Sequence, residues 1–165
     1  MPTENEIRVM KILSAIDIPP AAAKKIEEWG NEAVTVVCEV ALGTYPGLRM
    51  KVRTNAAALL GWMDHPQARE TVTLLVNDPN PDVAIRGMRA AGRQKNEQAV
   101  EKLGQIVKKP ESPPLLAAEA LKALMTVDSA RAKAFVDQYA AATPDAVPHR
   151  AASVIHDVFS RGAKR

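Results

Sequence analysis

The sequence predicts an all-α protein, a solenoid of about four stacked helix pairs preceded by an N-terminal helical cap. Three observations predict it. Residues 52–79 recur as 83–110 at a register of 31, with Val52 falling on Val83, Gly61 on Gly92, Ala68 on Ala99, Leu75 on Ile106 and Val76 on Val107. A looser third copy carries Leu116, Met125, Asp128, Ala132, Val136 and Pro144, and a partial fourth begins near Arg150. Upstream, Asn31-Glu32-Ala33-Val34 resembles Asn96 to Val100, and Pro46 stands where Pro79, Pro110 and Pro144 stand later. A period of this length belongs to stacked helical repeats, and no alternating β-branched run intervenes to suggest a strand.

The elements follow in order. Residues 4–16 carry Ile7, Met10, Ile12, Leu13 and Ile16 at helical spacing, with Glu4 and Glu6 in a first turn whose dipole favours them, and Pro19-Pro20 ends the segment. A short helix over 20–29 stops at Gly30, suited to a left-handed cap. These two form the expected cap, 1–30, because a terminal repeat has no neighbour to cover its apolar face. The repeats then run from 31 to 160, with helices expected near 31–42, 48–62, 66–77, 81–92, 96–108, 113–126, 129–141 and 146–160. Asp64, Asn96 and Asp128 lie where a helix wants a side-chain acceptor, and Pro66, Pro81 and Pro114 lie in first turns, where a missing amide hydrogen is tolerated. The segment Asp78-Pro79-Asn80-Pro81-Asp82 is a hinge between repeats, and residues 161–165 are a basic tail.

Composition bounds the function. A chain of 165 residues fits one domain with a sizeable core. Cys38 is the only cysteine, so no internal disulfide forms and no Cys-based metal site has enough ligands. The polar, acidic start lacks a secretory layout and no apolar run reaches membrane-spanning length, so a cytoplasmic location is expected. Aromatics are 4% of residues, which suits alanine-rich helix packing better than a base-stacking surface. A net charge of +3 tunes encounter without announcing a nucleic-acid partner.

The stretch Val52-Arg53-Thr54-Asn55-Ala56-Ala57-Ala58-Leu59-Leu60-Gly61, followed by Asp64-His65-Pro66-Gln67-Ala68 and Leu74-Leu75-Val76-Asn77-Asp78, resembles the HEAT repeats, in particular the short HEAT-like type also found in phycobilisome lyases. The second copy departs from that pattern, with Ala84 in place of the arginine, Ala91 of the leucine and Lys95 of the aspartate. The resemblance implies a right-handed α-solenoid whose second helices line the concave face. Such arrays serve scaffolding, inhibition, lyase and nucleic-acid roles, so function has to be argued from the site.

Catalytic and cofactor patterns are absent: no phosphate-cradling glycine loop, zinc-protease helix or nucleophile elbow occurs, and no cofactor or metal is expected. His149 and His156 stand seven apart, about 10 Å along a helix and too far to chelate one ion by themselves, and His65 is read as a capping or surface residue. Glu27 and Glu28 are adjacent and diverge on a helix, while Glu119 is expected to make a marginal surface pair with Lys122. Cys38, among valines, reads as a buried structural thiol.

The sharper signal is Arg86, Arg89 and Arg93 on one helical face, with Asn55, Ala58 and Trp62 in the same columns one repeat earlier and Glu119, Lys122 and Thr126 one repeat later. Stacking places Trp62 beside Arg93, and tryptophan and arginine are the residues enriched at binding hot spots. The competing reading is a solvated basic face with Trp62 sealing a junction between repeats. The second helices offer Arg69, Glu70 and Thr73, then Glu97, Glu101 and Gln105, then Arg131, Lys133, Asp137 and Gln138, a mixture of signs that suits a protein partner better than a polyanion. The expectation is therefore a monomeric, non-catalytic protein-binding module acting as adaptor, inhibitor or assembly factor, of which a toxin-neutralising immunity protein is one form. Nucleic-acid binding along a basic ridge from Arg49 through Arg93 is the alternative, and a lyase-type HEAT-like enzyme ranks last.

Overall fold

The helices stack in two layers. In the computed structural model, which describes residues 1–141, these are α1 (Glu4–Leu13), α2 (Ala21–Glu28), α3 (Asn31–Leu42), α4 (Met50–Leu60), α5 (Pro66–Leu75), α6 (Pro81–Arg93), α7 (Val100–Lys108), α8 (Pro114–Val127) and α9 (Ala130–Ala141). One layer runs α1, α4, α6, α8, each packed on the next, and the other runs α3, α5, α7, α9, with a 3-10 turn at Glu97–Ala99 joining α5 to α7. The layers are tied by α3 on α4, α5 on α6, α7 on α8 and α8 on α9, while α2 lies against α3 and α4. This is the all-α repeat architecture read from the 31-residue register. The expected partial fourth repeat, the helix at 146–160, His149, His156 and the basic tail lie outside the described residues.

Local chemistry accounts for the element ends. Thr3 and Glu6 form a reciprocal capping box at α1. Asn80 caps α6 by accepting from the amides of Asp82 and Val83 at 3.0 and 3.3 Å, and Pro66, Pro81 and Pro114 occupy first-turn positions as expected. Four readings are corrected. The first helix stops at Leu13, short of residue 16, because the Asn55 amide reaches over from α4 and donates to the Leu13 and Ala15 carbonyls at 2.9 and 3.4 Å. His65, one residue after Asp64, caps α5: its Nδ1 accepts from the Gln67 amide at 3.1 Å, leaving Nε2 to donate to Asn31 at 3.0 Å. Asp128 ends α8 in the left-handed region at φ 55, and Ser129 accepts from the Ala132 amide at 3.1 Å in its place. Asn96 caps as expected, at 3.1 Å to Gln98, but it opens the 3-10 turn before α7 begins at Val100.

Small side chains set the closeness of the stack. Ala56, Ala57, Ala84, Ala90, Ala91, Ala117, Ala118 and Ala120 are all buried between helices. A Cβ placed on Gly61 of α4 would stand 2.8 Å from the Ala90 Cα of α6. One placed on Gly87 would stand 2.8 Å from Leu75 Cβ and 2.9 Å from the Leu75 backbone carbon of α5. Backbone cannot give way as a flexible side-chain tip can. Gly87→Ala is therefore expected to destabilise the fold by about 1–3 kcal/mol, although alanine is the better helix former by about 1 kcal/mol. The midpoint of urea unfolding checks this, and an unchanged or higher midpoint would contradict the packing described.

Candidate partner-binding site

The arginine face lies on the α4, α6, α8 layer. Arg86, Arg89 and Arg93 are exposed on α6, and the Arg93 guanidinium sits 4.6 Å from the centroid of the Trp62 ring. Trp62 follows the end of α4 and remains 49% exposed, a large indole at the surface with a cation on one face. The juxtaposition expected from the column alignment is present. Burial, and then the charges of Arg89 and Arg86, push the Arg93 guanidinium down from its ordinary value.

The three arginines are not equivalent. Arg89 forks onto Glu119 of α8, Nη2 to Oε1 at 2.8 Å and Nε to Oε2 at 3.2 Å, while the Glu119 side chain is only 6% exposed. The expected surface pair of Glu119 with Lys122 is thus corrected. Stacking carries α6 over Glu119, and a bidentate guanidinium outcompetes a flexible ammonium that gains nothing by leaving water. Burial pushes the Glu119 carboxyl up, but the hydrogen bonds and charge of Arg89 together with the charge of Lys122 outweigh it, so its pKa lies below the ordinary carboxylate value. Arg86 and Arg93 make no ion pair among the described residues.

Among the described residues, grooves run along this layer. One of about 350 Å³ lies between the α1–α2 turn and α4, lined by Ile16, Asp17, Ile18, Lys51, Asn55, Ala58, Leu59, Trp62 and Arg86. A second, of about 480 Å³, lies between α4 and α6 and shares Lys51 and Arg86 with the first. A third, of about 280 Å³, lies between α6 and α8, with Arg89, Arg93, Glu119 and Lys122 in its walls. Ile18 is a lining residue that the sequence pattern does not single out. Ile16 belongs by its spacing to the apolar stripe of the first helix, yet it stands beyond the helix end and is 81% exposed. The apolar pair flanking Asp17 just before Pro19-Pro20 was the available signal.

The second-helix candidates are largely spent on the fold. Arg69 donates to the Gln94 carbonyl at 2.8 Å and pairs with Asp64 at 3.3 Å. Thr73 donates to the Arg69 carbonyl at 2.9 Å and accepts from Asn96 at 3.3 Å. Buried Asn96 and Gln94 complete this knot, Asn96 donating to the Arg69 carbonyl at 2.9 Å and Gln94 to the Leu60 carbonyl at 2.8 Å. Glu101 receives Gln105 and Arg131, each at 3.0 Å, and both lower its carboxyl, Gln105 the more. Lys133 stands 3.5 Å from Asp128. Glu97 and Asp137 are exposed and make no ion pair among the described residues.

The basic ridge is interrupted. Arg53 turns inward, donating through Nε to the Ala41 carbonyl at 2.9 Å and pairing through Nη2 with Asp78. The second repeat lacks this brace at both ends together, with Ala84 and Lys109 in the two positions. Cys38 is buried, its thiol 3.8 Å from the Gln67 carbonyl, and burial raises its pKa. Among the described residues no three His, Cys, Asp or Glu side chains converge as metal ligands.

Removing Arg89 strands a buried carboxylate. Arg89→Ala is expected to lower stability near neutral pH by about 1–3 kcal/mol, below the figure for a fully buried pair because the guanidinium is half exposed. The depressed Glu119 contributes stability above the ordinary carboxylate pKa that is lost as pH falls through its lower folded value. In the variant, only the Lys122 charge still opposes burial, so that pKa rises relative to the parent and the variant gains relative stability on acidification. Denaturation midpoints of the two proteins should therefore converge toward acid pH, and a pH-independent gap would count against the pairing.

A family model for HEAT repeats matches residues 49–113 and, overlapping, 69–155, so that α4 to α9 fall within it. No curated protein matches the chain significantly. The matched span covers well over half of the chain and coincides with the two-layer stack of helix pairs. This chain belongs to the HEAT repeat family.

Proposed function

We propose that the protein is a non-catalytic protein-binding module, an adaptor, inhibitor or assembly factor, that docks its partner on the α4 and α6 face around Trp62, Arg86 and Arg93. The observation that carries this reading is the exposed indole of Trp62 beneath Arg93, at the rim of a groove whose shared wall is the unpaired Arg86. An aromatic surface and guanidinium groups that do not have to be pulled from internal partners are what a hot spot requires. The second-helix face supports it less, because Arg69, Thr73, Glu101 and Arg131 already hold neighbouring repeats together.

A nucleic-acid ridge from Arg49 through Arg93 loses Arg53 to Asp78 and Arg89 to Glu119, leaving a broken row of cations. A lyase-type reading lacks an accessible thiol, since Cys38 is buried. No helix among the described residues is long and apolar enough to cross a membrane.

The test uses the tagged protein as bait in nuclease-treated lysate of its source at physiological salt. One near-stoichiometric protein is expected, and Arg86→Glu with Arg93→Glu should reduce its capture at least about tenfold, the loss expected when a hot spot is removed. Helicity should stay unchanged and stability should fall by no more than about 0.5–1 kcal/mol, the contribution of the exposed Arg93–Trp62 contact, because neither side chain makes an ion pair that braces the fold as Arg89 does. Undiminished capture by the variant would move the interface elsewhere; retention of nucleic acid alone, from lysate without nuclease, would favour the ridge. A captured enzyme whose activity is blocked would make the protein an inhibitor, the role of an immunity protein.

A further inference from the structure

The three grooves adjoin in a row, a trough divided by shared side chains. Lys51 and Arg86 wall both the first and the second, and Arg89 walls both the second and the third. The trough therefore crosses α4, α6 and α8 side by side, a distance of about 16–20 Å at ordinary helix spacing. An extended chain of about six residues covers that length.

Its chemistry has an unmet half. Lys51, Arg86, Arg93 and Lys122 are exposed along it and none forms an ion pair among the described residues. The carboxylate of Glu119 is already held by Arg89. At one end, exposed Ile16 and Trp62 flank the cations with apolar surface, and Met50 adds a further exposed apolar side chain.

We propose that this trough binds an extended acidic peptide segment, a run of carboxylates carrying one bulky apolar residue, laid across α4, α6 and α8. The apolar residue sits between Ile16 and Trp62, and the carboxylates meet Arg86, Arg93 and Lys122. This rests on the protein-binding reading above and narrows its partner to one chemical class. Like charges crowd Arg93, whose guanidinium is pushed down by burial and by Arg89 and Arg86, and an incoming carboxylate relieves that crowding.

A polynucleotide fits the same cations less well. Asp17 and Asp82 also face the trough. A phosphate chain, charged at every unit, meets them with repulsion, whereas a peptide places a neutral residue opposite each. Arg93 already covers one face of Trp62, which obstructs the stacking of bases on it.

The experiment titrates the full chain into a fluorescein-labelled synthetic peptide of about eight residues, glutamates alternating with serines on both sides of a single leucine, and reads anisotropy at low and physiological salt. Saturable binding is expected at about 10–100 μM. It should weaken at least about tenfold when the glutamates become glutamines, and likewise in the Arg86→Gln, Arg93→Gln protein. The Arg86→Gln, Lys122→Gln protein, which keeps Arg93 on Trp62, should weaken similarly, with its melting temperature matching the parent. No saturable binding, equal binding of the glutamine peptide, equal binding by both variants, or tighter binding of an oligothymidylate of similar length would each overturn the proposal. Arginine-dependent capture from lysate without binding of this peptide would reject the acidic class and leave the protein-binding reading standing; loss of both would reject both.

Discussion

The close approach of helices α4, α6 and α8 is the constraint on which everything else depends. It is permitted by glycine and alanine at the contact, Gly61 against Ala90 between α4 and α6 and Gly92 against Ala123 between α6 and α8. Helices that near each other bury a continuous apolar layer, and burial of this kind supplies the main driving force for a fold with no disulfide. The same closeness brings a side chain of one repeat within reach of its counterpart in the next. Trp62 and Arg93, and Arg89 and Glu119, are 31 and 30 positions apart in the chain and neighbours only because of it.

Each repeat boundary is tied by a different polar device. Between α3 and α5 it is His65 on Asn31; between the α4–α5 pair and the α6–α7 pair it is the knot of Gln94, Asn96, Arg69 and Thr73; between α6 and α8 it is Arg89 on Glu119. Identical ties at every boundary would leave register ambiguous in a repeating structure, since a shift by one repeat would satisfy them equally. Dissimilar ties penalise such a slip by burying groups without partners. The loss of Arg53 and Asp78 equivalents together in the second repeat fits the same logic, because either group alone at a boundary would be stranded.

This division of labour separates structural charge from available charge. Side chains of the second-helix layer are mostly consumed in holding repeats together. Those of the first-helix layer include cations that the chain itself does not neutralise, set beside exposed apolar groups. Exposed apolar groups such as Trp62 and Ile16 cost solubility unless something covers them, which, beside cations available to a partner, is the physical ground on which recognition there is proposed.

By itself the sequence determined the helix pairs, their order and their register, because a 31-residue recurrence of apolar and small residues has only one way to bury its faces. It also placed Trp62 beside Arg93 and held Cys38 inside, since both follow from column positions in a regular stack. It did not determine which charges are spent. Glu119 reads as a surface partner of Lys122 when only its own helix is considered, and Arg69 and Thr73 read as free second-helix surface, because pairing across repeats depends on distances that no helical wheel contains. Nor did it locate the end of α1, which is set by Asn55 donating from α4 to carbonyls 42 and 40 positions away in the chain. Those outcomes belong to the tertiary structure, where competition for each donor and acceptor is decided by which group arrives in reach without leaving water unpaired.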